Sequence, residues 1–166
     1  MGVFEQFTDW AKANKWHVRF KKTPSSELNL AHEIIQRYGP LPPELTGFFK
    51  KTLSLSTKGK TAWFLCEDDY AGAEDSGYSL AWNEAEVRSL DAALGDSHLM
   101  SDIKTWWDKR LPIVLSNTDS QLTYYAYDCN NGYIICGHEP NFEDTHTVAS
   151  SFEDFLQKII QGKISL

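Results

Sequence analysis

Cysteine is scarce. Cys66, Cys129 and Cys136 are the only three in 166 residues, an odd and sparse set that excludes a disulfide-stapled scaffold and leaves stability to a hydrophobic core. Long apolar runs are lacking too: none approaches the ~18 residues that a membrane-spanning helix needs. The opening residues, Met1 to Gln6, show no basic region followed by an apolar one. No secretory signal is therefore read, and a cytoplasmic address is expected. There is no G-x-x-x-x-G-K-[ST], no G-x-G-x-x-G and no G-x-S-x-G, so the nucleotide-binding and serine-hydrolase fingerprints do not apply. None of the five histidines sits in an H-E-x-x-H. No enzyme activity and no cofactor are expected.

What the chain has is aromatics, 13% of its residues, and an uneven charge. Its net charge is −7, yet residues 1–60 hold ten basic against five acidic side chains. Residues 61–87 and 111–157 each hold seven acidic residues and no Lys or Arg. Gathered on one face, such stretches would repel nucleic acid and speed association with a basic protein. The alternative is a solvated acidic surface with no particular partner.

Periodicity organises the chain as one domain, residues 1–166. Val3, Phe4, Phe7, Trp10 and Ala11 repeat at helical spacing. A second helix is expected from Thr23-Pro24 through Leu28, Ile34, Ile35 and Tyr38 to Gly39, and a third with Leu45, Phe48, Phe49 and Leu53 as its buried stripe. The period then shortens: residues 61–66 and 78–82 read as strands. Asn83 with Glu86 suggests a capping box before Val87, Leu90 and Leu94, and another helix is read from Leu99 to Trp107. Strands follow at 111–115, 122–127 and 133–136, the last two joined by a hairpin at Asn131-Gly132 that would set Cys136 opposite Tyr127. Ser150 and Glu153 form a second capping box, opening a helix with Phe152, Phe155, Leu156, Ile159 and Ile160 on one face. Strands in runs, rather than alternating with helices, predict an α+β fold: an antiparallel sheet flanked by N-terminal helices, a helical insert and a C-terminal helix.

The candidate partner surface is the 67–75 loop, with Glu67, Asp68, Asp69, Tyr70, Glu74 and Asp75, together with Tyr125 and Tyr127, which share one strand face. Aromatic anchors among acids suit an interface centre; otherwise the tyrosines pack under a helix. Adjacent Glu67, Asp68 and Asp69 cannot all turn to one ion, which argues against calcium, and a solvated loop does not raise a carboxyl pKa for acid–base work. His138, Asp144 and His146 are the metal-site alternative, as a small metalloenzyme; a polar loop beside an edge strand is the plainer reading. Lys15, Arg19, Lys21 and Lys22 interleave with Trp16 and Phe20. In an acidic chain this short run reads as a solvated edge with both rings buried, so no nucleic-acid partner is expected.

Two blocks carry a family likeness. The first runs Gly39-Pro40-Leu41-Pro42-Pro43-Glu44-Leu45-Thr46-Gly47-Phe48-Phe49-Lys50. The second is Leu111-Pro112-Ile113-Val114-Leu115-Ser116, Asp119, Leu122, Tyr127-Asp128, Gly132-Tyr133-Ile134 and His138-Glu139, closing with Ala149-Ser150-Ser151-Phe152-Glu153-Asp154-Phe155-Leu156. Their order resembles the SUKH superfamily, which holds bacterial immunity proteins and fungal cell-wall-assembly regulators. Thr118 stands where that family has Gly before Asp119. The resemblance implies an α+β fold, no catalytic residues, and an intracellular protein that neutralises a toxin, a basic one by the charge argument. A regulatory scaffold for another cellular protein is the alternative it leaves.

Overall fold

The computed structural model describes residues 1–71 and 80–166. The chain begins with α1 (Val3–Ala13), whose Phe7 and Ala11 are fully buried. Lys15 turns the backbone through φ 63° into β1 (His17–Phe20). Two helices follow, α2 (His32–Tyr38) and α3 (Pro43–Lys51), and α3 runs directly into β2 (Thr52–Ser56). After β3 (Ala62–Phe64) come α4 (Glu67–Tyr70), α5 (Glu84–Ala92) and α6 (Ser97–Trp107). The rest is a meander, β4 (Arg110–Thr118), β5 (Gln121–Asp128), β6 (Ile134–His138) and β7 (Asn141–Ala149), closed by α7 (Phe152–Ile160).

The described strands form one seven-stranded sheet in chain order, every pair antiparallel. The expected α+β class is what the chain adopts. Register sorts side chains into two cross-strand rows, because paired residues share a face. One row is Phe64, Val114, Tyr125 and Cys136; the other is Trp63, Leu115, Tyr124 and Gly137. Helices α1, α3 and α7 cover the first row. The Phe64 ring meets Phe7 at 5.5 Å, Phe48 at 5.7 Å, Phe155 at 6.2 Å and Trp16 at 6.4 Å. On the opposite face Trp107 of α6 lies 5.0 Å from the Tyr124 ring, and its indole N–H donates to Glu143 at 2.9 Å. Arg37 ties α2 to both inserted helices through Glu86 at 2.8 Å and Asp108 at 2.9 Å.

Several elements depart from expectation. The second helix starts at His32, not near Pro24, because the segment before it bonds elsewhere: Ser25 N–H reaches Lys50 O and Asn29 N–H reaches Glu67. Leu53 belongs to β2 and is exposed. Leu80 to Trp82 are not strand, and Tyr78 and Ser79 lie outside the described residues. Asn83 makes no side-chain cap, since Glu86 is turned to Arg37. The expected Ser150–Glu153 box does not form: Ser151 caps α7 by accepting the Asp154 N–H, and the Asp154 carboxylate accepts the Ser150 N–H. The β5–β6 hairpin pairs Cys136 with Tyr125, because its loop closes from Asp128 to Tyr133 around Asn130-Asn131.

Gly137 has a steric reason to be glycine. The Tyr124 side chain crosses over it so that the phenol donates to Phe142 O, and an added Cβ would lie 2.7 Å from both oxygens. Gly137→Ala is therefore expected to cost about 1–3 kcal/mol through overpacking. Urea unfolding measures it, and an unchanged midpoint would show that the ring has room to move.

Candidate protein-binding surface

Of the residues singled out along 67–75, Glu67, Asp69 and Tyr70 are put to structural use. Glu67 is buried, its side chain only 6% exposed; it pairs with Lys21 at 2.9 Å and accepts the Asn29 N–H at 3.2 Å. Asp69 folds back to accept the Cys66 N–H at 2.7 Å, and the Cys66 side chain accepts in return from the Asp69 backbone. The two residues thus cap α4 reciprocally. Tyr70 is 3% exposed, packed 5.6 Å from Phe49, with its hydroxyl donating to Pro112 O at 2.6 Å. Only Asp68 of this group is exposed; Glu74 and Asp75 lie outside the described residues. The expectation of a solvated acidic loop with Tyr70 as its anchor is corrected: Glu67 and Tyr70 belong to the interior.

Tyr125 is corrected likewise. It is 8% exposed beneath α7, 5.2 Å from the Phe155 ring, in the row that also contains Phe64. Tyr127, two residues on, is half-buried. Burial chiefly raises its phenol pKa, with the charges of Cys129, Glu44 and Asp128 adding to the effect. His138, Asp144 and His146 do not converge: His138 Nδ1 is 2.6 Å from Glu139 O, while His146 sits opposite Cys136 farther along β7. Among the described residues no group of three or more His, Cys, Asp or Glu could hold a metal. The three cysteines are free thiols, and burial pushes those of Cys129 and Cys136 up to about 11.

Carboxylates and aromatics do meet, at a place the sequence did not announce. The first turns of α1 and α7 and the length of α3 enclose a cleft of about 190 Å³. Phe4, Phe48, Phe152 and Leu156 line it, and Glu5, Glu44 and Glu153 stand among its walls. Each glutamate lies in the first turn of its helix, where a carboxylate complements the helix dipole. Lys51 is the cation lining this cleft; its ammonium lies 3.8 Å from Glu5 and 5.9 Å from the centre of the Phe4 ring. A second concavity of about 230 Å³ adjoins the first through Phe4, Glu5 and Lys51 and extends to Phe20 and Pro24. The signal was present in sequence as three helix starts carrying Glu beside apolar residues, but their convergence is tertiary.

No protein-family model matches the chain, and no curated protein or solved structure matches it. No described helix is long and apolar enough to cross a membrane.

Two expected outcomes follow from the α4 region. Lys21→Met leaves the Glu67 carboxylate buried without its cation and is expected to cost ~3 kcal/mol; the double variant with Glu67→Gln should lose less than the sum of the singles. A thermodynamic cycle from denaturant unfolding checks this, and additivity would dissolve the pair. Burial pushes the Asp69 carboxyl up to about 6 from 3.8. The native state thus holds that proton more tightly than the unfolded chain, and this contribution to stability is lost as the pH rises from about 4 through about 6. Relative to wild type, Asp69→Asn should gain stability over that window, on the order of 1 kcal/mol. A stability difference independent of pH would refute the assignment.

Proposed function

We propose that the protein is an immunity-type binding protein that occludes a basic partner, a toxin of the polymorphic class, in the cytoplasm. The observation that carries this reading is the α1–α3–α7 cleft. Its floor is apolar, and its walls hold three carboxylates against one ammonium that is already shared with Glu5. An arginine or lysine side chain entering it would bury its aliphatic stem against Phe4 and place its charge near Glu44 or Glu153. Phe4, half-buried beneath the Lys51 ammonium, offers a ring face that already takes a cation. Each exposed ion pair would add only ~0.2–1 kcal/mol. The rim therefore contributes more to encounter rate and selectivity, while the apolar floor supplies affinity.

The SUKH-like order of motifs supports the same role, and it includes the residues that open α3 and α7. Placing the partner surface here, instead of on the 67–75 loop, keeps the basic-partner reading and changes its address.

Co-expression with a basic toxin of that class tests the proposal. Wild-type protein should restore growth. Glu44→Lys combined with Glu153→Lys should abolish protection and weaken binding by about tenfold or more, while the fold survives, since both side chains are exposed and each loses only about 0.3–1 kcal/mol of helix-dipole stabilisation. Failure of the wild type to protect, or full protection by the charge-reversed variant, would contradict it.

A further inference from the structure

The opposite charge collects at the β1 edge of the sheet. Residues 10–26 and 45–66 contain no Asp or Glu, and the fold lays these two segments side by side by pairing β1 with β2, Val18 opposite Leu55 and Arg19 opposite Ser54. The β2–β3 turn is drawn to the same place by His17, whose Nε2 lies 3.0 Å from Lys58 O. Nine cations fall in these segments. Lys21 is paired with Glu67 and Lys51 with Glu5. The others, Lys12, Lys15, Arg19 and Lys22 on one segment and Lys50, Lys58 and Lys60 on the other, make no ion pair among the described residues.

Gathering seven cations at one end, none of them ion-paired among the described residues, opposes folding by like-charge repulsion. The backbone adds to that cost. Lys15 and Lys60 hold φ of 63° and 55°, a left-handed conformation that Gly or Asn adopts with less strain. Asn14 and Gly59 each stand one residue away, so the charges sit at the strained positions although residues better suited to them are adjacent. Beside them, Phe20 is 38% exposed. Its ring rests edge-on against Phe4 at 6.1 Å and lies 5.3 Å from the Lys12 ammonium. β1 is also the end of the sheet, with no further strand among the described residues to cover it.

We propose that this edge binds single-stranded nucleic acid, its cations on the phosphates and Phe20 as a stacking platform for one base. A polyanion with one charge per repeat can reach the end of α1, the edge strand and the β2–β3 turn together, and releases counterions as it does so. A seated ring flanked by cations suits base stacking, whereas a bilayer surface calls for a protruding apolar side chain. The edge adjoins the glutamate-walled cleft where Phe20 meets Phe4, but its cations lie outside that cleft's lining, and this inference does not depend on the partner proposed there.

The experiment is fluorescence anisotropy of a labelled oligouridylate, about 20 nucleotides long, over a range of salt concentrations. Binding is expected at low salt, with a log–log slope near −3 if about four phosphates are neutralised. Arg19→Glu with Lys22→Glu should weaken it about tenfold or more and flatten that slope; Lys58→Glu with Lys60→Glu, which leaves β1 intact, should do the same. Phe20→Ala should lower affinity about fivefold with the slope unchanged, the mark of lost stacking rather than lost charge. No binding at low salt would overturn the proposal, as would indifference to both charge reversals. Tighter association with polyglutamate or with phosphatidylserine vesicles than with the oligonucleotide would overturn it too.

Discussion

The Phe64 ring is the contact on which the arrangement of helices depends. It projects from a three-residue strand and meets Phe7 of α1, Phe48 of α3, Phe155 of α7 and Trp16 at the entrance to β1. Three distant regions of the chain are thus positioned against one side chain that is 1% exposed. Truncating so large a buried ring typically costs ~3–5 kcal/mol. Here the consequence reaches further, because the same contacts bring the first turns of α1 and α7 up to α3 and so create the cleft.

Charge is then distributed by topology. A meander keeps sequence neighbours as spatial neighbours, so the acid-free segments around β1 and β2 remain together at one edge. The acidic residues have mixed fates. Glu67 and Glu86 are taken inside as partners of Lys21 and Arg37, and Asp69 becomes a helix cap. A buried carboxylate that holds a lysine is a structural device, and its negative charge is not on offer to a partner. The glutamates of the helix starts, Glu5, Glu44 and Glu153, stay exposed because a first-turn carboxylate is stabilised by its own helix without a buried cation.

Much of the fold was legible before the coordinates. Apolar spacing marked α1, α3, α6 and α7, and β-prone runs marked β3 to β6, because these elements bury a regular face. β1 and β7 were not legible: His17, Arg19, Asp144 and His146 give edge strands the look of polar loops, as a protected sheet edge must. β2 was missed because no breaker separates it from α3. The candidate site was read less well. A run of acids next to a tyrosine reads as an exposed loop, yet the cation that neutralises Glu67 lies 46 residues away in the chain. Tyr125 could not be told from an exposed tyrosine without knowing that α7 folds back over it. Of the three tyrosines expected as anchors, Tyr127 alone is only half-buried.

The most direct measurement is backbone-amide chemical-shift mapping of the isotope-labelled protein during titration with a basic protein of the proposed toxin class. The largest changes are expected at Glu5, Glu44 and Glu153, with α6 and the 67–70 turn unmoved. Changes confined to α5, α6 or residues 67–70, with the cleft silent, would contradict the proposed surface.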